Sequence, residues 1–324
     1  MMRRARLIGH GRYLPERIVS NDDLSQRVDT SDAWIRQRTG IRQRHMAEPN
    51  QVTSDLAVAA AEAALASAGL SIDAVDGVVL ATSTPDNTYP ATAARVQAKL
   101  GMTRGFAFDI AAVCSGFVYG LTIADNLIRG GQADTLLVIG AETNSRILDW
   151  EDRSTCVLFG DGAGAVLLRA DVGTGTTADH GILTCHIYSD GRGYDALKVD
   201  GGPSSTGTVG HVRMNGGEVF KHAVQNMADA AMTAIAAAGL TPEQIDWIVP
   251  HQANQRIIDA IGRRLDLPMD RFVSTVADHA NTSAASIPLA LAEAIGDGRI
   301  RTGDLVLMQA MGAGFTWGSV LARL

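Results

Sequence analysis

Ala64–Ala81 reads ALASAGLSIDAVDGVVLA, and Ala234–His251 reads AIAAAGLTPEQIDWIVPH. Each passes from an alanine-rich stretch through Ala-Gly-Leu and an acidic turn into a short apolar run. The spacing from Ala-Gly-Leu to that run is the same in both, so one helix-to-strand unit occurs twice. Gly131–Glu142 (GQADTLLVIGAE) pairs in the same way with Arg301–Gly312 (RTGDLVLMQAMG). Gly160–Ala170 (GDGAGAVLLRA) pairs with Gly312–Leu324 (GAGFTWGSVLARL) as a glycine-rich turn entering a closing strand. The pairs predict two similar halves, 1–174 and 175–324, with the Gly- and Thr-rich Ala170–Gly181 as the crossover between them.

Val75–Ser83, Ala133–Ala141, Ile245–His251 and Gly303–Met311 are short apolar runs that suit strands buried on both faces. Amphipathic stretches alternate with them. Ser54–Leu70 is one, with Ser54 as the expected N-cap and Gly69 as the stop. Alternation of this kind predicts an α/β fold with mostly parallel sheets. A net charge of −7 over 324 residues excludes a general nucleic-acid binder, which needs a basic surface. The three cysteines, Cys114, Cys156 and Cys185, form no metal-ligand spacing and suit a reduced, cytoplasmic protein. The basic N-terminus lacks the apolar stretch of a signal peptide, and no apolar run is long enough for a membrane span.

Cys114 sits among small residues in AAVCSGF, immediately before a helical stretch. It is either a small buried hydrophobe or a nucleophile whose pKa is lowered by the helix N-terminus. Laying the halves over one another sets Cys114 opposite Asn281, and His251 ends a strand, where ligand sites of α/β folds form. A Cys–His–Asn set serves a hydrolase or a carbon–carbon bond-forming enzyme, and spacing alone does not separate the two. His279 stands close enough to support Asn281 or lies in a loop. GDGAGA imitates a dinucleotide fingerprint but leads into VLL and not a helix, so it is expected to be a turn between strands. Cys156 and Cys185 are expected to be inert packing residues. Trp34–His45 holds Arg36, Arg38, Arg42 and Arg44, which form either a solvated face or a phosphate-binding mouth with Trp34 as a stacking surface. Arg256, Arg263 and Arg264 after the PHQAN turn suit an acidic protein partner.

Seven stretches in order, DTSDAWIRQRTGIRQRH, AAVCSGF, LFGDGAGAV, NGGEVFKHAV, VPHQANQRII, HANTSAASIPLAL and AGFTWGS, closely resemble the β-ketoacyl-acyl carrier protein synthase III family, and the likeness covers essentially the whole chain. These are the condensing enzymes that start type II fatty-acid synthesis. The resemblance implies a thiolase-like fold, two pseudo-symmetric halves layered αβαβα, in an intimate homodimer. It implies a ping-pong reaction in which the Cys114 thiolate takes an acyl group from acyl-CoA, most simply acetyl-CoA. Malonyl-acyl carrier protein then loses CO₂ and attacks the thioester, with no cofactor and no metal.

The same resemblance assigns roles residue by residue. His251 and Asn281 stabilise the malonyl thioester oxygen, and the backbone N–H groups of Cys114 and Ala313 form the hole for acyl transfer. Trp34, Arg38 and Arg153 hold the coenzyme A nucleotide, with Thr30, Gly216, Phe220 and Asn254 along the pantetheine path. Tyr89, Phe159 and Met311 shape the acyl pocket, Tyr89 from the neighbouring subunit. Lys221, Arg256, Arg263 and Arg264 dock the acidic carrier protein. Three positions depart from the usual pattern: Ala313 replaces the middle glycine of a triplet, Gly217 stands where an asparagine is common, with Asn215 as a substitute, and Tyr89 replaces phenylalanine. A pathway-specific relative making a polyketide, quinolone or ester, a non-catalytic thiolase-fold subunit and a cysteine hydrolase are the alternatives.

Overall fold

Side chains alternate along each central strand, and the alternation sorts them into separate layers of core. On Thr135–Thr143, Leu136 and Val138 face one cluster while Leu137 and Ile139 face another. On Leu305–Gly312, Val306 and Met308 join the first of these clusters, and Leu305 and Leu307 join a third. A middle core is therefore shared by two sheets, with an outer core on each far side. The computed structural model describes residues 2–324.

The first sheet runs Met2–Tyr13, Asp161–Gly173, Thr135–Thr143, Gly77–Ala81, Phe106–Ile110. The second runs Gly181–Ser189, Thr316–Arg323, Leu305–Gly312, Trp247–Pro250. The orders correspond strand for strand, and the fifth place of the second sheet is marked by the parallel bridge from Ile248 to Phe272. Helices Gly116–Arg129 and Ser286–Gly296 lie between the sheets. Thr53–Ala68 covers the outer face of the first sheet, and Gly216–Ala237 covers that of the second. The result is the layered αβαβα arrangement of the thiolase-like fold.

The repeat is kept in detail. The 3₁₀ turns Ile72–Ala74 and Val113–Ser115 recur at one constant interval as Pro242–Gln244 and Ser283–Ala285. Gly69 and Gly239 hold left-handed φ values of 63° and 69° at matching helix ends. This interval sets Cys114 opposite Ala284 and not Asn281, which corrects the register drawn from sequence. Val113 and Ser283, at matching places, have φ of 48° and 50°.

Other expectations change too. The sheets are mixed: Gly77–Ala81 is parallel to both neighbours, whereas Asp161–Gly173 and Thr316–Arg323 are antiparallel to theirs. Thr316–Arg323 follows Leu305–Gly312 through a tight turn, and Asp161–Gly173 follows Thr135–Thr143 through a loop with no crossover α-helix, so both pairs are antiparallel. The Ser54–Leu70 helix starts at Thr53, and its cap bond is made by Asp55, whose carboxylate accepts from Val52 N–H at 2.9 Å. Ser54 Oγ instead accepts from Lys99 Nζ at 2.6 Å. GDGAGA is not a turn: Asp161 to Ala165 already belong to a strand. Its glycines let that strand lie against the middle helix, because a Cβ at Gly164 would sit 2.7 Å from Leu289 N.

Gly164→Ala is expected to lower the unfolding free energy by about 1–3 kcal/mol through this overpacking. Gly296→Ala, at an exposed helix end with nothing within 4 Å of a new Cβ, should leave stability unchanged or slightly raised. Denaturant unfolding of both variants checks the pair, and equal losses would contradict the packing argument.

Candidate active site

The middle helices begin where the two sheets end, and their first turns pack together. Cys114 lies in the Val113–Ser115 turn just ahead of helix Gly116–Arg129 and is buried. His251 follows strand Trp247–Pro250, its N–H donating to Gln309 O at 2.8 Å. Asn281 is clamped between the halves: its N–H donates to Leu158 O at 2.9 Å, and its carbonyl accepts from Gly160 N–H at 3.0 Å. All three side chains line one cavity of about 560 Å³.

Hydrogen bonds on the far side of each polar group fix what faces the cavity. Asn281 Oδ1 accepts from Ser283 N–H at 2.9 Å, so Nδ2 is left as the donor. His251 Nδ1 lies 2.7 Å from Ser286 Oγ. That hydroxyl also accepts from Gln252 N–H at 3.3 Å and keeps its own proton to give to Nδ1, the pairing that leaves the imidazole proton on Nε2. Burial pulls the His251 pKa down to about 3, so the ring stays neutral. The site thus presents two uncharged N–H donors, one imidazole and one amide.

The thiol differs from expectation. Burial pushes the Cys114 pKa up to about 12, outweighing the helix terminus, because a thiolate there loses its hydration. Cys114 also stands in a 3₁₀ turn ahead of the helix, and Ser115 N–H is spent on Ala112 O at 3.1 Å. Cys156 and Cys185 are likewise raised, to about 11 and 12, by burial.

Of the family-derived positions, Trp34, Arg38, Arg153, Gly216, Phe220, Asn254, Phe159, Met311 and Arg256 line the same cavity. The Arg38 and Arg153 guanidinium carbons lie 4.7 and 5.2 Å from the Trp34 ring centroid. Asn254 Oδ1 caps helix Gln255–Leu265 by accepting from Ile257 N–H at 3.0 Å, which leaves its amide nitrogen free to turn elsewhere. Thr30, Lys221, Arg264, Ala313 and Tyr89 do not line the cavity. Thr30 Oγ1 is buried without a partner. Tyr89 is 84% exposed. Arg264 pairs with Asp229 at 3.7 Å, and Arg263 faces a separate surface groove with Asp259 and Met269.

The basic run splits. Only Arg38 reaches the cavity; Arg36 pairs with Asp32 at 2.7 Å, Arg42 with Asp278 at 2.6 Å, and Arg44 is buried against Val157 O at 2.8 Å. His279 does not support Asn281: its Nε2 lies 3.2 Å from Glu293 Oε2. Asn215 caps helix Gly216–Ala237, with Oδ1 3.9 Å from where a side chain at Gly217 would begin, and it does not line the cavity. The triplet resolves cleanly. Gly312 must be glycine, since a Cβ would sit 2.7 Å from Cys114 N, and Gly314 must be glycine for its φ of 128°. Ala313 meets neither demand, so its methyl is accommodated. Ser286, Met214 and Met227 went unnoticed in the sequence; Ser286 stands in the HANTSAAS stretch, but its partner is 35 positions away.

A thiolase-like fold with a thiol, an imidazole and an amide in one cavity fits a condensing enzyme, the class to which its relatives belong. Residues 108–191 match the family model of 3-oxoacyl-[acyl-carrier-protein (ACP)] synthase III, and residues 235–324 match the model of its C-terminal part. The beta-ketoacyl-[acyl-carrier-protein] synthase III of Paramagnetospirillum magneticum is 63% identical over 324 residues, covering 100% of both chains. The 3-oxoacyl-[acyl-carrier-protein] synthase III structure from Aquifex aeolicus has a TM-score of 0.93 at 46% identity, covering 99% of this chain and 100% of that one. The priming beta-ketosynthase of the R1128 polyketide pathway has a TM-score of 0.92 at 34% identity, covering 99% of this chain and 97% of that one. The chain belongs to the 3-oxoacyl-[acyl-carrier-protein] synthase III family and is an acyltransferase of the condensing type.

Unfolded histidine binds a proton below about pH 6.5, whereas folded His251 stays neutral down to about 3. Stability is therefore lost as pH falls from 6.5 toward 3. Between pH 7.5 and 5.0 this one group should remove about 2 kcal/mol. Denaturant unfolding at the two pH values should show that much less loss in His251→Gln; His10 and His45, also lowered by burial, act the same way in both proteins.

Proposed function

We propose that this chain condenses a short acyl-CoA, acetyl-CoA in the simplest case, with malonyl-acyl carrier protein, giving 3-ketoacyl-acyl carrier protein, coenzyme A and CO₂. The observation that carries the reading is the neutral donor pair, His251 Nε2 and Asn281 Nδ2, in the cavity that holds Cys114. Acyl transfer comes first. Cys114 Sγ attacks the thioester carbonyl and coenzyme A departs. The backbone N–H groups of Cys114 and Ala313 meet the oxyanion, an assignment supported by the close approach of Gly312 to Cys114 N. Malonyl-acyl carrier protein then enters. Loss of CO₂ places negative charge on its thioester oxygen, and the two donors bind that charge without carrying one themselves. A pre-oriented donor of this kind is worth about 3–4 kcal/mol. The carbanion attacks acyl-Cys114, and the product leaves.

The mouth suits the first substrate. Trp34 with Arg38 and Arg153 offers a flat surface and two cations to a phosphorylated nucleotide, and Gly216, Phe220 and Asn254 follow along the pantetheine path. Lys221, Arg256, Arg263 and Arg264 are read as the face that meets the acidic carrier protein. We read the chain as two thiolase-like halves, 1–174 carrying the nucleophile and 175–324 carrying the donors, in a cytoplasmic homodimer that uses no cofactor. Exposed Tyr89 supports the dimer as a residue given to the partner's acyl pocket. The 63% identity to a synthase III, against 34% to a polyketide priming enzyme, favours fatty-acid initiation over the pathway-specific reading.

Incubation with mixed acyl-CoAs followed by intact mass measurement should show one acyl group, absent from Cys114→Ala. His251→Ala and Asn281→Ala should keep the acyl adduct but lose condensation by at least about a hundredfold. Ser286→Ala, which frees the imidazole to take the other tautomer, should slow condensation about tenfold with acylation intact. Unimpaired condensation by Cys114→Ala would overturn the reading.

A further inference from the structure

Beside Cys114 lies a buried carboxylate that the reaction above leaves idle. Glu142 stands near the end of strand Thr135–Thr143 and is completely buried. Its Oε2 accepts from Ser83 N–H at 3.0 Å, from Thr84 Oγ1 at 2.8 Å and from Thr82 Oγ1 at 3.3 Å. Oε1 has no partner of good geometry, and neither has the hydroxyl of Ser283. Ser283 opens the turn packed on the Cys114 turn, in a left-handed conformation that costs a non-glycine residue about 1–2 kcal/mol. The same turn also packs against strand Thr135–Thr143, so Ser283 stands next to both the Cys114 turn and the Glu142 strand. Unpartnered buried oxygens cost about 1–3 kcal/mol each, so stability does not account for the arrangement.

We propose that Glu142 is a positioning residue that, through Ser283 Oγ, takes the proton of Cys114 during acyl transfer and returns it when the acyl group leaves. The inference rests on the acyl-transfer reading above. As Sγ forms its bond to the acyl carbon, the thiol proton passes to Ser283 Oγ while the Ser283 proton passes to Glu142 Oε1. The bond from the acyl carbon to the coenzyme A sulfur breaks, and the departing thiolate takes a proton from solvent. After decarboxylation the carbanion's electron pair forms the new carbon–carbon bond, and the acyl–Sγ bond breaks. Glu142 then gives its proton back through Ser283 to the Cys114 thiolate. One solvent proton is consumed per turnover, matching the CO₂ released from a carboxylate.

His251 is poorly suited to this part, because burial lowers its pKa to about 3 and makes the ring a weak base. Burial acts oppositely on Glu142 and raises its pKa, while the hydrogen bonds from Ser83 N–H, Thr84 and Thr82 favour the ionised carboxylate that the relay uses. The titratable groups set around the thiol are Glu142, from its strand, and His251, from the strand end. His251, with its pKa near 3, keeps one charge state between pH 6 and 9.

The test follows Cys114 alkylation by iodoacetamide from pH 6 to 9 with intact mass readout, with Cys114→Ala as the blank. Glu142→Gln should slow alkylation at pH 7 about a hundredfold and make the rate proportional to hydroxide. A spectator charge gives the opposite sign: Glu142 repels a thiolate, so its neutralisation would speed alkylation. An equal or faster rate overturns the proposal. Ser283→Ala, which keeps the carboxylate, should also slow alkylation with a hydroxide-dependent rate, and it decides the matter alone should Glu142→Gln fail to fold. Unchanged alkylation in Ser283→Ala overturns the relay. Wild-type protein that shows the relay in alkylation but takes no acyl group from acetyl-CoA would sink the acyl-transfer reading instead.

Discussion

Two short turns meeting in the middle layer hold the rest of the site in place. Val113–Ser115 and Ser283–Ala285 start the two central helices and pack on one another, each with its first residue at positive φ. The contact is so close that neighbouring strands carry glycine where they pass: a Cβ at Gly312 would meet Cys114 N at 2.7 Å, and one at Gly140 would meet Ala284 O at 2.2 Å. Each half therefore presses a strand end onto the other half's helix start. The thiol comes from one turn. The loop before the other turn brings Asn281, and the sheet end beside it brings His251.

This arrangement explains why both halves are needed for a single cavity. Asn281 is tied by backbone bonds to Leu158 and Gly160 of the first half, while His251 is tied to Gln309 and Ser286 of the second. Those bonds lie on the far side of each side chain, so the donors facing the cavity are oriented before any substrate arrives. Orientation in advance is what makes such groups effective toward charge that develops only in the reaction. Burial has two consequences here: it keeps His251 neutral and it makes Cys114 a reluctant acid. The first suits an N–H donor. The second calls for a local proton acceptor.

Much of this was legible in the sequence, because the repeat is written at a nearly constant interval and each half brings its own strand signals. The paired Ala-Gly-Leu segments marked the repeated helix-to-strand unit, and Cys114, His251 and Asn281 stood at the ends of predicted elements. Details that depend on three-dimensional neighbours were not legible. The register of Cys114 against Asn281 slipped by three because similar small residues surround both. The sign of the Cys114 shift depends on burial, which a helix start does not reveal. Nor could the run Arg36, Arg38, Arg42, Arg44 show that only one member reaches the cavity, since three are taken by Asp32, Asp278 and the carbonyl of Val157. Ala313 looked like a constraint until the φ values placed the need for glycine on its neighbours.

Everything proposed for the second half-reaction depends on a neutral, pre-oriented imidazole N–H beside the thiol. Nitrogen-15 NMR of histidine-labelled protein, assigned with His251→Gln, tests it directly. His251 should show one neutral Nε2–H tautomer, unchanged between pH 5 and 8. An imidazolium in that range, or a proton on Nδ1, would contradict it.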